Sequence, residues 1–266
     1  MGRLTVRFLP KYLAIIFLNV ISKLFFRNGI VFNFVKNSDF FEAVCKNTNR
    51  KVSIIHKNRL DGYLRGMNAK LKTFGHRYAI ETIKFPVGAT VIDCGANIGE
   101  LGVYLEIFEN EINYIAFEPG EDEFRALSLN NPNAKCINKA LWHCDEVKTL
   151  FLKSDTADNS LFKFEGYQKE IKMDCTSVDS FLKKNPISEI YLLKLEAEGT
   201  EPEVLMGSVN SLMNIRYISV DWGPERGLEQ ENTLTSISNI LYEHGFMMLS
   251  VDHKMYTALF VNKAYL

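Results

Sequence analysis

The chain has 266 residues, 31 Lys and Arg against 32 Asp and Glu, a net charge of −1, and 47% hydrophobic residues. That length suits one large α/β domain with an N-terminal extension better than two full domains, and the apolar content can fill a sizeable core. The balanced charge, with no stripe of interleaved aromatic and basic residues, argues against a nucleic-acid partner.

Locally the charge is uneven. Residues 1–38 carry Arg3, Arg7, Lys11, Lys23, Arg27 and Lys36 and no acid. Within them Leu13 to Phe26 is strongly apolar, and Asn19, Ser22, Lys23 and Arg27 recur at helical spacing as one narrow polar stripe. The run is too short and too interrupted for a membrane span. As a signal peptide it lacks a small-residue cleavage site. Two readings stand: a helix packed on the main domain or on a second subunit, and a basic helix lying on an anionic membrane surface through residues 1–30. Residues 1–50 are thus set apart as a basic, apolar helical extension, and residues 51–266 as the main domain.

Lys51 to His56 and Gly62 to Met67 read as a small strand pair. A helix is expected from Arg77 to Lys84, and Pro86-Val87-Gly88 turns the chain into the first core strand. From there strands and helices alternate: strand 90–94, helix 98–108, strand 112–118, helix 121–130, strand 135–138. Such alternation predicts a parallel sheet with helices on both faces. Val147 to Leu152 and Glu170 to Cys175 alternate like hairpin strands around the polar loop Ser154 to Ser160, a place for a flap or a substrate contact. A short helix from Ser177 to Lys184, strand 190–196, helix 201–212, strand 215–221 and helix 234–244 follow. The last strands, 246–251 and 256–262, bring the core to seven, and the tight loop Asp252-His253-Lys254 implies one antiparallel strand at the end.

Chemistry concentrates in ATVIDCGANIGELG, residues 89–102. Val91 and Ile92 suit a buried parallel strand, and Gly95 and Gly99 free the backbone to turn sharply and to meet a ligand. The helix beginning near Ile98 points free N–H groups at that turn, which suits a carboxylate, while Asp93 can take up a cationic amine. S-adenosylmethionine carries both charges on one end. The next strand, INYIAFE, ends in Glu118, 19 residues after Gly99, where an acid can accept hydrogen bonds from both ribose hydroxyls. The dinucleotide fingerprint G-x-G-x-x-G fails here, because Asn97 and Glu100 stand at its second and third glycines. A ligand-free structural turn is the remaining alternative.

Ligands of open α/β sheets sit beyond the carboxyl ends of the strands. Asp93, Glu118, Glu196 and Asp221 occupy four such ends. Around Gly199, Glu198 and Glu201 could equally cap the helix that follows. Lys194, internal to its strand, can pair with one of these acids. Trp222 offers an apolar face for a sugar ring or fills the core. Cys45, Cys94, Cys136, Cys144 and Cys175 form no CxxC pair and read as free thiols of a reducing, cytoplasmic compartment. His143-Cys144 has no third ligand evident in the sequence, and no metal site is expected.

DCGANIG (93–99), FEP (117–119) and KLEAEGTE (194–201), in this order, resemble the FkbM family of S-adenosylmethionine-dependent methyltransferases over roughly residues 75–222. The resemblance implies a class I methyltransferase (Rossmann-like) α/β fold and O-methylation of hydroxyls on sugars, glycans or polyketides. It implies that Asp93, Gly95, Ala96, Asn97 and Gly99 form the methionine-end pocket and that Glu118 is the ribose acid. The family's third block is usually K-(I/M)-D-V-E-G-A-E. Here Glu196 stands at the aspartate, Thr200 replaces an alanine, and Asp221 lies where a glutamate is common. A single in-line displacement is implied, with Glu196, then Glu198, as the carboxylate that removes the hydroxyl proton. The expected acceptor is a small-molecule or glycan hydroxyl. A polyketide or lipid hydroxyl, or a protein that binds the cofactor without catalysis, is the alternative. The acceptor pocket is expected from the N-terminal region, the 154–170 loop and Asp221 to Gln230.

Overall fold

The computed structural model describes residues 8–26, 29–36, 39–109, 111–153 and 159–266. Helix α1 (Lys11–Ile21) runs on through a π turn at Ser22–Phe26 into an antiparallel sheet of β1 (Ile30–Val35), β2 (Phe40–Cys45) and β3 (Arg50–Ile54). The extension therefore holds strands as well as a helix. Every second residue of its first strand begins inward, with Ile30 and Phe32 buried, as a half-covered sheet requires.

Two members of the polar stripe of α1, Asn19 and Ser22, face inward onto β1, while Lys23 is exposed. Asn19 Nδ2 donates to the Phe32 carbonyl (2.9 Å), Asn19 Oδ1 accepts the Phe32 N–H (2.8 Å), and Ser22 Oγ donates to the Ile30 carbonyl (2.8 Å). These side chains occupy the open edge of β1, which would otherwise present unpaired backbone groups. Ala14 and Leu18 pack below them in the core. Arg3, Arg7 and Arg27 lie outside the described residues.

The strand expected at Gly62 to Met67 is absent. Lys57–Tyr63 forms a 3₁₀ turn, and α2 (Met67–Arg77) follows. The helix expected at 77–84 thus lies earlier in the chain. Gly66, at φ 105°, starts the true helix and left-handed Ala79, at φ 54°, follows its end. The boundary drawn at residue 50 falls at the start of β3, and one apolar core runs from Leu18, Phe32 and Val52 through to Val91 and Leu192.

The main domain continues with β4 (Ala89–Cys94), α3 (Glu100–Phe108), β5 (Ile112–Phe117), α4 (Glu121–Asn130) and β6 (Lys135–Ile137). Next, β7 (Ala140–Leu141), β8 (Glu146–Leu152) and β9 (Lys169–Thr176) form a separate small sheet in which β8 and β9 pair antiparallel, as their alternation predicts. Residues 154–158 of the polar loop lie outside the described residues. The chain ends with α5 (Val178–Lys184), β10 (Ile190–Leu195), α6 (Glu201–Met206), β11 (Ile215–Asp221), α7 (Leu234–Glu243), β12 (Phe246–Asp252) and β13 (Thr257–Asn262).

Seven strands form the main sheet in the order β12-β13-β11-β10-β4-β5-β6. β13 runs antiparallel to both neighbours, so the antiparallel strand is last in the chain but second from the edge. β4 and β10 are buried at every residue, which explains their near-continuous apolar sequences. Alternate residues of β4 feed two cores: Val91 packs in that of α2, α3 and α4 (Leu71, Leu101, Leu127), and Ile92 in that of α5, α6 and α7 (Phe181, Leu205, Ile237). This is the class I methyltransferase arrangement. The strand order reverses between β4 and β10, the switch point where such sheets open a crevice.

Candidate active site

A cavity of about 730 Å³ opens at that switch point, above the carboxyl ends of β4, β5 and β10. Its floor is the glycine turn after β4. Gly95 takes φ 68°, and a Cβ there would lie 1.8 Å from the Glu196 carbonyl oxygen, so only glycine fits. Asn97 (φ 52°) and Gly99 (φ 82°) complete the turn into α3. Asn130 Nδ2 donates to the Ile98 carbonyl (2.8 Å) and Asn131 Nδ2 to the Gly99 carbonyl (3.2 Å), pinning the loop from α4.

Glu118 closes one wall. Its Oε2 accepts the Asn97 N–H and its Oε1 the Gly120 N–H, both at 2.7 Å. Burial, and then the neighbouring Glu123, push its carboxyl up to about 8. Each of its oxygens retains acceptor capacity for a further hydrogen bond.

Gly95, Ala96, Asn97, Glu118, Glu196 and Glu198 all line the cavity, so the structure brings these expected site residues together. Asp93 and Gly99 do not line it. Asp93 is 1% exposed and turned into the sheet. Tyr114 Oη donates to its Oδ2 (2.6 Å), and Lys194 Nζ stands 3.1 Å from its Oδ1. Its carboxylate is thus held between Tyr114 and Lys194 within the protein. The physical reason is that a charge this deep needs a counter-charge, which Lys194 provides.

Lys194 joins several parts of the site. Its ammonium donates to the Gly95 carbonyl (3.0 Å) and pairs with Glu196 (2.9 Å) as well as Asp93. Burial alone would strip its proton, but Asp93 and Glu196 outweigh that and raise its pKa. For Glu196 burial acts upward, yet Lys194 and then Arg77, at 3.7 Å, hold the carboxyl down at about 2. The Arg77 guanidinium also pairs with Asp221 at 2.6 Å.

The acids after β10 divide by role. Glu201 Oε1 accepts the Ala197 N–H (2.8 Å) and the Gly199 N–H (3.2 Å), so it caps the turn rather than facing the cavity. Glu198 takes φ 51° at the cavity wall, and Ser160 Oγ donates to its carbonyl (2.8 Å). Trp222 is buried against the edges of Tyr256 and His253, which is the core reading of that residue.

Sequence reasoning missed Arg77 as a wall residue and did not expect Arg59 or Tyr78 there, and it named no role for Glu225 within the segment Asp221 to Gln230. Burial, and then Asp221, push the Glu225 carboxyl up to about 8. No motif marks these positions, because they reach the site from segments far apart in the chain. Residues between 58 and 78 supply one wall of the cavity, Asn159 and Leu161 a side, and Glu225 part of the rim. Away from the cavity, Glu146 does supply a third group beside His143 and Cys144. The three potential ligand atoms lie within 4.8 Å of one another, with His143 and Glu146 exposed. The reading that His143-Cys144 lacks a third group is corrected by the turn between β7 and β8.

A family model for the methyltransferase FkbM domain matches residues 93–250. Hexuronic acid methyltransferase AglP of Haloferax volcanii is 26% identical over 132 residues, covering 48% of this chain and 54% of that protein. Methyltransferase 1 of Beauveria bassiana is 26% identical over 150 residues, covering 46% and 59% respectively. The chain spans just over half the length of these curated relatives. Among solved structures, M. capricolum TrmK in complex with S-adenosyl-homocysteine aligns at a TM-score of 0.40 and 9% identity, over 70% of this chain and 66% of that one. The FkbM match spans more than half of the chain and contains the glycine turn, Glu118 and the Lys194–Glu201 block, so the chain belongs to the FkbM family of S-adenosylmethionine-dependent methyltransferases.

Proposed function

We propose that this chain transfers a methyl group from S-adenosylmethionine to a hydroxyl of a sugar or glycan-linked acceptor. The observation that carries the reading is the convergence of the glycine turn, Glu118 and ionised Glu196 on one cavity. An orphaned buried acceptor, Asn97 Oδ1, supports ligand binding at the turn. The charged side chains on its wall, Arg77, Glu196 and Glu225, support a polyhydroxyl acceptor, as does a relative that is a hexuronic acid methyltransferase.

When bound, S-adenosylmethionine supplies an electrophilic methyl group with a neutral thioether as leaving group. Glu118 would hold the ribose hydroxyls with its remaining acceptor capacity, and the backbone of Gly95 to Asn97 would hold the amino-acid end. Asp93 would act through Lys194, which fixes the Gly95 carbonyl. Glu196 would accept the proton of the attacking hydroxyl. Its low pKa is no obstacle, because a hydroxyl proton becomes strongly acidic as the new carbon–oxygen bond forms. Arg77 and Lys194 keep that carboxylate charged and fixed. Glu198, across the cavity wall, is the second candidate.

The experiment pairs calorimetric titration with S-adenosylhomocysteine and transfer of labelled methyl to a panel of hexoses, hexuronic acids and their glycosides. Glu196→Gln should retain cofactor binding while kcat falls by about 100- to 10,000-fold. Binding without transfer to any hydroxyl would favour a non-catalytic cofactor-binding protein. Absence of binding by the folded chain would overturn the reading.

A further inference from the structure

We infer that the outer face of α1 is a docking surface for an anionic lipid bilayer, on which the protein lies with this helix parallel to the membrane plane. With Asn19 and Ser22 turned to β1, the apolar residues of the opposite side lie outside. Leu13, Ile16, Phe17, Val20, Leu24 and Phe25 are all exposed, Phe25 to 68% and Leu24 to 61%. An apolar helical face this continuous, turned to water on an otherwise packed domain, needs a cover.

Charge selects the cover. Residues 1–38 hold six basic residues and no acid. Of these, Lys23 and Lys36 are exposed, while Lys11, also exposed, pairs with Asp39 at 2.6 Å. A second copy would set one cationic patch against another, which like-charge repulsion opposes. Anionic headgroups complement it, with lysine stems lying along the apolar face and ammonium groups reaching the phosphates.

Length and anchoring fix the orientation. Residues 11–26 form a rod of about 24 Å, short of the roughly 30 Å of a bilayer's hydrocarbon core. Among the described residues no helix is long and apolar enough to cross a membrane. Asn19 and Ser22 hold one side of the helix to β1, so only the opposite side can enter lipid. Lys57 Nζ also donates to the Leu9 carbonyl, and the adjoining residues Asn58 and Arg59 line the large cavity. The docked helix would thus stand beside the wall of the catalytic cavity.

The test is sedimentation of the full chain with phosphatidylcholine vesicles, with and without 30% (about one lipid in three) phosphatidylglycerol, at about 0.1 M salt. Binding should require the anionic lipid. Lys23→Gln with Lys36→Gln should lower the partition coefficient about 25-fold, at about five-fold per lysine. Ile16→Gln with Val20→Gln should lower it by at least about tenfold. Thermal melting of each variant checks that the fold persists. Failure of the wild-type chain to bind anionic vesicles would overturn the proposal. So would equal binding to neutral vesicles, or a dimer in solution that Ile16→Gln with Val20→Gln dissociates. None of these readouts depends on methyl transfer.

Discussion

Replacing Lys194 with Met tests the electrostatic arrangement beneath the cavity. The Lys194 side chain is 2% exposed and its partner Asp93 1%, so neither charge can turn to water. Met fills similar space but removes the ammonium 3.1 Å from Asp93, 2.9 Å from Glu196 and 3.0 Å from the Gly95 carbonyl. Asp93 would keep the Tyr114 hydroxyl, and Glu196 the more distant Arg77 and the neighbouring Tyr78. Removing one partner of a buried pair costs about 3–5 kcal/mol.

The loss carries a pH signature. Burial already raises the Asp93 carboxyl above its usual range, and without Lys194 it rises further. A carboxyl whose folded pKa exceeds its unfolded value contributes stability that is full at low pH and lost as pH rises. The deficit of Lys194→Met should therefore be largest near pH 8 and shrink toward pH 5. Urea unfolding at both pH values measures it. Combining Lys194→Met with Asp93→Asn removes both charges and should recover at least about 2 kcal/mol, the scale of coupling between contacting groups. A single variant within 1 kcal/mol of wild type (about a fifth to a third of the expected loss), or no recovery in the double variant, would refute the reasoning.

Two further outcomes follow from the same geometry. Gly95→Ala should destabilise the chain by about 3 kcal/mol and abolish calorimetric binding of S-adenosylhomocysteine, since its Cβ would meet the Glu196 carbonyl at 1.8 Å at a left-handed φ. Glu118, with its carboxyl near 8, should accept ribose hydroxyls fully only when ionised. Affinity for S-adenosylhomocysteine should then rise about 30-fold between pH 6.5 and pH 9, and Glu118→Gln should bind more weakly and lose its part of that rise. A Glu118→Gln profile identical to wild type would remove Glu118 from the cofactor site.

Much of the main domain was legible because its signals are local. Buried apolar runs such as VID and YLLKL, separated by helical segments, predict a parallel sheet without knowledge of any partner. The glycine turn and Glu118 were legible because a short loop after a strand has few conformations. Gly95 must be glycine for a reason that acts at one residue, although the atom that enforces it belongs to Glu196. The N-terminal strands were less legible, since IVFNFV and FFEAVC continue an apolar stretch whose preceding part is helical.

The sequence by itself determined the sheet, the turn and the acids at the strand ends, because each depends on periodicity or on a few neighbouring residues. Only the tertiary structure decided which way each charge and each helix face points. Asp93 turns inward because Lys194 and Tyr114 reach it there, and Glu196 stays ionised because Lys194 and Arg77 stand beside it. Arg77 and Asp221 meet across a separation of 144 residues. Asn19 and Ser22 of α1 face the protein because β1 leaves an unpaired edge for them to fill. A pattern in one segment fixes what that segment can bury or bond, while the partner that satisfies it comes from elsewhere in the fold.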